Sequence, residues 1–185
     1  MWAKRVMARR RGVVAALCSI AAAVAIGGCG KPPARVSVRL VDHAGLMAAV
    51  AAHRGKVVVL DCWSTSCPPC VREFPGLVAL ARRHPDVACL SLSFDYEGIG
   101  APEDALPRVR EFLEGVGAGA IDNLLAREES DVLYRQLGLA SVPAVWVWGP
   151  DGSLARRFDD DAAAALGRPF TYADVEAAVR ELRGE

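Results

Sequence analysis

The sequence predicts an α/β fold, a central mixed sheet flanked by helices, and three observations carry that prediction. Val57, Val58, Val59 and Leu60 form an unbroken, mostly β-branched apolar run, the pattern of a strand buried on both faces in a parallel sheet. A helical stretch follows, and then a second apolar strand from Val87 to Phe94, so the two strands run parallel. Further on, Val145 to Trp148 and Ser153 to Phe158 flank Gly149-Pro150-Asp151-Gly152, a turn composition that joins two strands as a hairpin.

In chain order, residues 1–28 read as a targeting segment outside the fold. Lys4, Arg5, Arg9, Arg10 and Arg11 make a basic start, and Gly12 to Gly28 carries no charge. That apolar run is short for a spanning helix, which needs about 20 residues. Ile26-Gly27-Gly28-Cys29 resembles a bacterial lipobox, which implies a lipidated Cys29 as the mature N-terminus. An uncleaved signal anchor is the alternative, because the run exceeds the roughly 7 to 15 residues of a signal core. Either form tethers the domain on the extracytoplasmic, periplasmic side of a bacterial membrane. The arginines at 9–11 hint at a twin-arginine signal, but the remainder of that motif fits poorly. Residues 29–35, with Pro32 and Pro33, read as a short stiff tether, and 36–185 as one domain.

Val36 to Val41 alternates Val36, Val38 and Leu40, as a strand does. Leu46 to His53 has helical periodicity, closed by Gly55. After Val57 to Leu60 the chain turns into a helix that runs to about His84, where Pro85-Asp86 stops it. Pro102 to Gly115 reads as a helix with Pro102 in its first turn and a kink at Pro107, and Ala120 to Leu124 as a weak extended piece. Glu129 to Leu137 is a helix stopped by Gly138. Asp159 to Gly167 is a surface loop or a short helix. Arg168 to Arg183 is the last helix, with Thr171 as N-cap and Val175, Ala178, Val179 and Leu182 as its apolar face. Trp146 and Trp148 alternate and share one side of their strand.

The full chain of 185 residues balances 22 basic against 22 acidic side chains. Five of the basic ones lie in the targeting segment, so residues 29–185 carry 17 basic and 22 acidic groups, a net of −5. That balance gives no basic patch, and nucleic acid is not expected as a partner.

The chemistry concentrates at Cys67-Pro68-Pro69-Cys70, where the strand delivers two thiols to the start of a helix. Unpaired N–H groups and the positive dipole end there favour a thiolate at Cys67, below the roughly 8.5 of a free cysteine. Pro68 and Pro69 suit the first helical turn, which has no internal acceptor for its N–H groups. With two residues between them the sulfurs can meet as a disulfide or part as a dithiol. A structural disulfide or half of a zinc site are the plainer readings. A zinc site needs a second ligand pair at similar spacing, which His43, His53 and His84 do not form, so no metal is expected.

Trp63-Ser64-Thr65-Ser66-Cys67-Pro68-Pro69-Cys70, with Glu73 and Pro75, resembles the active site of the thioredoxin superfamily, and most closely its membrane-tethered TlpA/ResA-like branch of thiol-disulfide oxidoreductases. Asp61 stands where thioredoxin has a buried carboxylate, Trp63 four residues before the first cysteine, and Pro75 where the family kinks its active-site helix. Ser66 and Cys62 depart from the family pattern, which commonly has aromatic residues there. The resemblance implies a thioredoxin-like fold with an α-β insert, Pro102 to Leu124, after the active-site βαβ unit. It also implies that Val142-Pro143 is a cis bond lying against the cysteine pair, with Val142 meeting the incoming peptide through its backbone. Asp95, at the end of its strand, is expected to cap a loop, and Glu73 to serve as a helix charge without a redox task.

On this reading Cys67 attacks a substrate disulfide, Cys70 resolves the mixed disulfide, the Cys67-Cys70 disulfide forms, and Asp61 takes the Cys70 proton. Val142, Pro143, Trp63, Pro68 and Pro69 line the substrate side. No cofactor is expected. The partners implied are client proteins with disulfides, such as apocytochromes c, and a membrane-embedded electron donor, with the chain itself a monomer. Cys62 and Cys89 are expected as inert core residues, and a bridge between them would need adjacent strands in suitable register. Two other activities occur on such a fold. A thiol peroxidase wants Pro and Thr where Leu60 and Ser64 stand, and a copper carrier wants a wider cysteine spacing and a placed histidine.

Overall fold

The structure, a computed structural model, describes residues 35–185. The expected targeting segment, lipidation site at Cys29 and tether up to residue 34 lie outside the described residues. Six strands form one sheet in the order β1 (Val38–Val41), β4 (Asp122–Ala126), β3 (Ala88–Ser93), β2 (Val58–Trp63), β5 (Ala144–Trp148) and β6 (Leu154–Phe158). Pairs from β1 to β2 are parallel, whereas β2–β5 and β5–β6 are antiparallel, so the sheet is mixed. The central strands β2, β3 and β5 are buried along their whole length, which is why their sequences are nearly continuous in apolar residues. β6 is an edge strand and carries Arg156 and Arg157, charges that discourage further pairing.

Alternation along β2 divides the core in two. Val59 and Trp63 face a cluster built with Cys70 and Phe74, α3 (Pro75–Arg83), α4 (Leu106–Val116) and α7 (Tyr172–Arg183). Val58, Leu60 and Cys62 face the other, with α1 (His43–Ala51), α5 (Ser130–Leu137), Trp146 and Trp148. The two tryptophans do share one side, their rings 5.8 Å apart, and the Arg157 guanidinium lies 4.7 Å over Trp146.

Several boundaries differ from the sequence reading for identifiable reasons. α1 starts at His43 because the Asp42 carboxylate accepts the Gly45 N–H at 2.7 Å, an N-cap the periodicity does not reveal. β2 runs on to Trp63, because Asp61 and Cys62 stay paired to both neighbouring strands. Pro107 does not kink a helix: a single 3-10 turn at Pro102–Ala105 precedes α4, and Pro107 sits in the first turn of α4, where a missing N–H costs nothing. The final helix begins at Tyr172, after a capping box between Thr171 and Asp174, and not at Arg168. Of the two forms open to Asp159 to Gly167, loop or short helix, the chain takes the helix, α6 (Asp160–Leu166).

The insert is present as α4 and β4, with β4 slotted between β1 and β3. Its anchor is polar and buried. Ser91 Oγ donates to Asn123 Oδ1 at 2.9 Å, and the Asn123 amide donates to the carbonyls of Ala118 and Ile121, both at 3.0 Å. Cys62 and Cys89 sit on opposite faces of the sheet, since Cys62 pairs with Leu92 and Cys89 with Val59. They cannot bridge, and both are free and buried.

Candidate active site

The chain leaves β2 at Trp63, and Ser64 to Ser66 form a turn into α2 (Pro68–Glu73). Asp95, just past β3, holds that turn. Its buried carboxylate accepts the Thr65 N–H at 3.1 Å, the Thr65 hydroxyl, and the Ser93 hydroxyl at 2.6 Å, while Arg108 of α4 donates from Nε at 3.2 Å. Arg108 also donates to the Asp95 carbonyl. Asp95 is thus a loop brace set directly behind the cysteine turn, and Arg108 its cation.

Cys67 occupies the N-cap position of α2, with Pro68 opening the helix. The Cys70 N–H points at Cys67 Sγ at 3.3 Å, a donor of the kind that steadies negative charge on that sulfur when the pair is reduced. The two cysteines form a disulfide, with Cα atoms 5.3 Å apart. They differ sharply in access: Cys67 is half-buried, whereas Cys70 is only 2% exposed. An incoming group therefore reaches Cys67 first. Pro68 is exposed and Pro69 half-buried beside it.

The Val142–Pro143 bond is cis, and the Val142 carbonyl oxygen lies 3.6 Å from Cys67 Sγ. The segment before β5 therefore lies against the sulfur pair. A groove of about 370 Å³ opens there, lined by Ser64, Ser66, Cys67, Tyr134 and Val142 and edged by Glu97, Glu129 and Asp131. Phe94 and Tyr134 stack at its side, ring centres 4.5 Å apart. Trp63, expected as a packed wall on the substrate side, is packed but does not reach that side: it has no exposed surface and lies between Phe74 and Phe112 at 4.9 and 4.7 Å. It supports the site from beneath and presents nothing to a client.

Asp61 lies on the same face of β2 as Val59 and Trp63, the face on which Cys70 is buried. Burial pushes its carboxyl from 3.8 up to about 7, against the pull of a hydrogen bond donated by the Tyr172 hydroxyl to Oδ2. Tyr172 was not singled out in the sequence, although it lies three residues before Val175 and so on the apolar face of α7. The other acidic hydrogens nearby are held in place by burial. Cys89 is pushed up to about 12, and Cys62 and Tyr172 are raised as well. Among the described residues no group of His, Cys, Asp and Glu is arranged to hold a metal ion.

No protein-family model matches the chain, and no curated protein sequence is significantly similar to it. Solved structures do match. The Mycobacterium tuberculosis (MTB) protein dsbF, in mixed oxidized and reduced forms, is 20% identical over 71% of this chain and 84% of its own, with a TM-score of 0.54. A secreted disulfide oxidoreductase from the same organism is 18% identical over 71% and 85%, also at 0.54. A thiol:disulfide interchange protein of the thioredoxin family from Chlorobium tepidum is 18% identical over 71% and 83%, at 0.53. The fold is therefore thioredoxin-like. It places the Cys67–Cys70 disulfide, a cis-proline and a buried acid at one end of its central strands.

Proposed function

We propose that the protein is a thiol-disulfide oxidoreductase that works as a reductase of protein disulfides through Cys67 and Cys70. The observation that carries this reading is the asymmetry of the pair: one sulfur reachable beside a cis-proline, the other buried on the face of β2 that bears Asp61. In the reduced state the Cys67 thiolate attacks a substrate disulfide, forming a mixed disulfide and expelling one substrate thiolate. Cys70 then passes its proton to Asp61 and attacks the Cys67 sulfur. The Cys67–Cys70 bond forms, the mixed disulfide breaks, and the second substrate thiolate leaves to be protonated from solvent. Two electrons pass to the substrate, and a dithiol donor returns them to Cys67–Cys70.

The groove beside Cys67, with Val142 in its wall, suits an extended client segment. The names of the similar folds, a disulfide oxidoreductase and an interchange protein, agree with this chemistry, and one of them is described as secreted. Together with the lipobox-like Ile26 to Cys29, they support an extracytoplasmic, membrane-tethered enzyme of the TlpA/ResA-like kind. It would be a monomer recharged by a membrane-embedded dithiol donor and would serve clients such as apocytochromes c. Insulin reduction by the wild-type protein and by Cys67→Ser, alongside peroxide consumption and copper uptake, tests the reading. Loss of reduction in the variant, with neither peroxide nor copper turnover in the wild type, is expected. Full reductase activity in Cys67→Ser would end it.

A further inference from the structure

Asp61 has a single hydrogen-bond donor among the described residues, and it comes from the far end of the chain. Tyr172, the first residue of α7, is buried, and its hydroxyl donates to Asp61 Oδ2. Its ring passes over α3 at Gly76. A β-carbon at position 76 would sit 2.7 Å from the Tyr172 Cβ and closer still to its ring, so only glycine leaves the passage open. Gly76 itself is a helical residue in α3 with no turn to make, and this clearance is the feature of the structure that requires it. Two residues that the disulfide chemistry does not touch are therefore shaped around one carboxylate oxygen.

We propose that Tyr172, admitted by Gly76, is a positioning residue for proton transfer: it occupies Oδ2 of Asp61 and so leaves Oδ1 as the oxygen that takes the Cys70 proton. This rests on the proposed role of Asp61 as acceptor. A donor on Oδ2 also stabilises the carboxylate over the carboxylic acid, which keeps the acceptor ionised in a site where burial works against it. The surrounding groups leave Asp61 and Cys70 as the exchanging pair. On the same face lie Tyr172 of α7 and Cys89 of β3, and next in β2 lies Cys62, all three kept protonated by burial. Arg157 of β6 is the nearby cation that acts on Cys62. β5 is wholly apolar, and the charged residues of α3, Arg82 and Arg83, are exposed in its last turn.

The test follows the two steps separately in the fully reduced full-length chain. An aromatic disulfide that yields a coloured thiolate releases one equivalent when Cys67 attacks and a second when Cys70 resolves the adduct. The rate of the second release, read against pH, should fall on the acid side with a midpoint near 7 in the wild type. In Tyr172→Phe that midpoint should rise by about one pH unit, slowing the second release about fivefold at neutral pH and restoring it in alkali. The first release should be unchanged. Gly76→Ala, which displaces the ring, should move the midpoint in the same direction, and supplies the answer if Tyr172→Phe does not fold. In an Asp61→Asn background, where the limb near 7 is lost and the Cys70 proton must leave to solvent, Tyr172→Phe should have no further effect. An unmoved midpoint in Tyr172→Phe or Gly76→Ala, with the limb still abolished by Asp61→Asn, would overturn this inference and leave Asp61 as acceptor. A limb that keeps its midpoint near 7 in Asp61→Asn would overturn both. Absence of any second release from the wild type would overturn the oxidoreductase reading itself.

Discussion

Replacing Asp61 by Asn should make the oxidised protein more stable at neutral and alkaline pH and hardly change it in acid. In the folded protein the carboxyl is pushed from 3.8 to about 7 by burial, so as pH rises the unfolded chain gives up this proton first. The stability it contributes is fully present below about 3.8 and is lost progressively as pH climbs to about 7, beyond which nothing further changes. The interval is about three pH units, and at 1.36 kcal/mol per unit the swing is about 4 kcal/mol. Asparagine keeps the shape and can still accept from Tyr172, so the difference between the two proteins isolates the charge. Urea unfolding of both, with the disulfide intact, at several values between about pH 4 and 9 gives the difference directly. A gap that opens with rising pH and levels off above neutrality is expected. A gap independent of pH, or one that opens toward acid, would refute the claim that this carboxylate is buried at a cost.

Further predictions rest on the charged braces. Asp95→Ala should destabilise the protein by about 3 kcal/mol, because it strips acceptors from the Thr65 and Ser93 donors and from Arg108. Arg108→Ala should cost about 1 kcal/mol, since Arg108 is half exposed and Asp95 retains its other donors. Urea midpoints measure both, and equal losses would show that the hydroxyl and N–H bonds to Asp95 contribute little. At the other end of the molecule, Glu176 is held down to about 2 by Arg83 and then by His84. Its folded-state value lies below the unfolded one, so its contribution is present above about 4.5 and is lost as pH falls toward 2. Glu176→Gln should therefore flatten the fall in Tm over that window, and an unchanged acid limb would contradict the pairing.

Much of this architecture was legible in the letters because local and global signals coincide there. Val57 to Leu60 has no polar face to mislead, Cys67-Pro68-Pro69-Cys70 announces a helix start, and the Gly149 to Gly152 turn announces its hairpin. Legibility ended where a side chain's task is set by something distant in sequence. Arg108 reads as one more helix charge until β3 brings Asp95 beside it. Tyr172 reads as a core aromatic until the fold sets it 111 residues away from its partner Asp61. Trp63 was half legible: its place four residues before Cys67 suggests a packed wall beside the substrate, and the pleat of β2 turns it wholly into the core beside Phe74. Pro107 misled because proline marks both a helix kink and a helix start, and only the backbone of the preceding turn distinguishes them. Sheet register, invisible in sequence, settled the remaining thiols by placing Cys62 and Cys89 on opposite faces.

The central claim is that Cys67 and Cys70 make a reversible two-electron couple that no other cysteine of the domain shares. Equilibrating the native protein in a graded series of reduced and oxidised glutathione, trapping thiols by alkylation and mapping them by mass tests it directly. The account predicts one transition, with two electrons exchanged, in which Cys67 and Cys70 change state together while Cys62 and Cys89 remain thiols throughout. No transition across the series, or stable glutathione adducts in place of the Cys67–Cys70 bond, would contradict it.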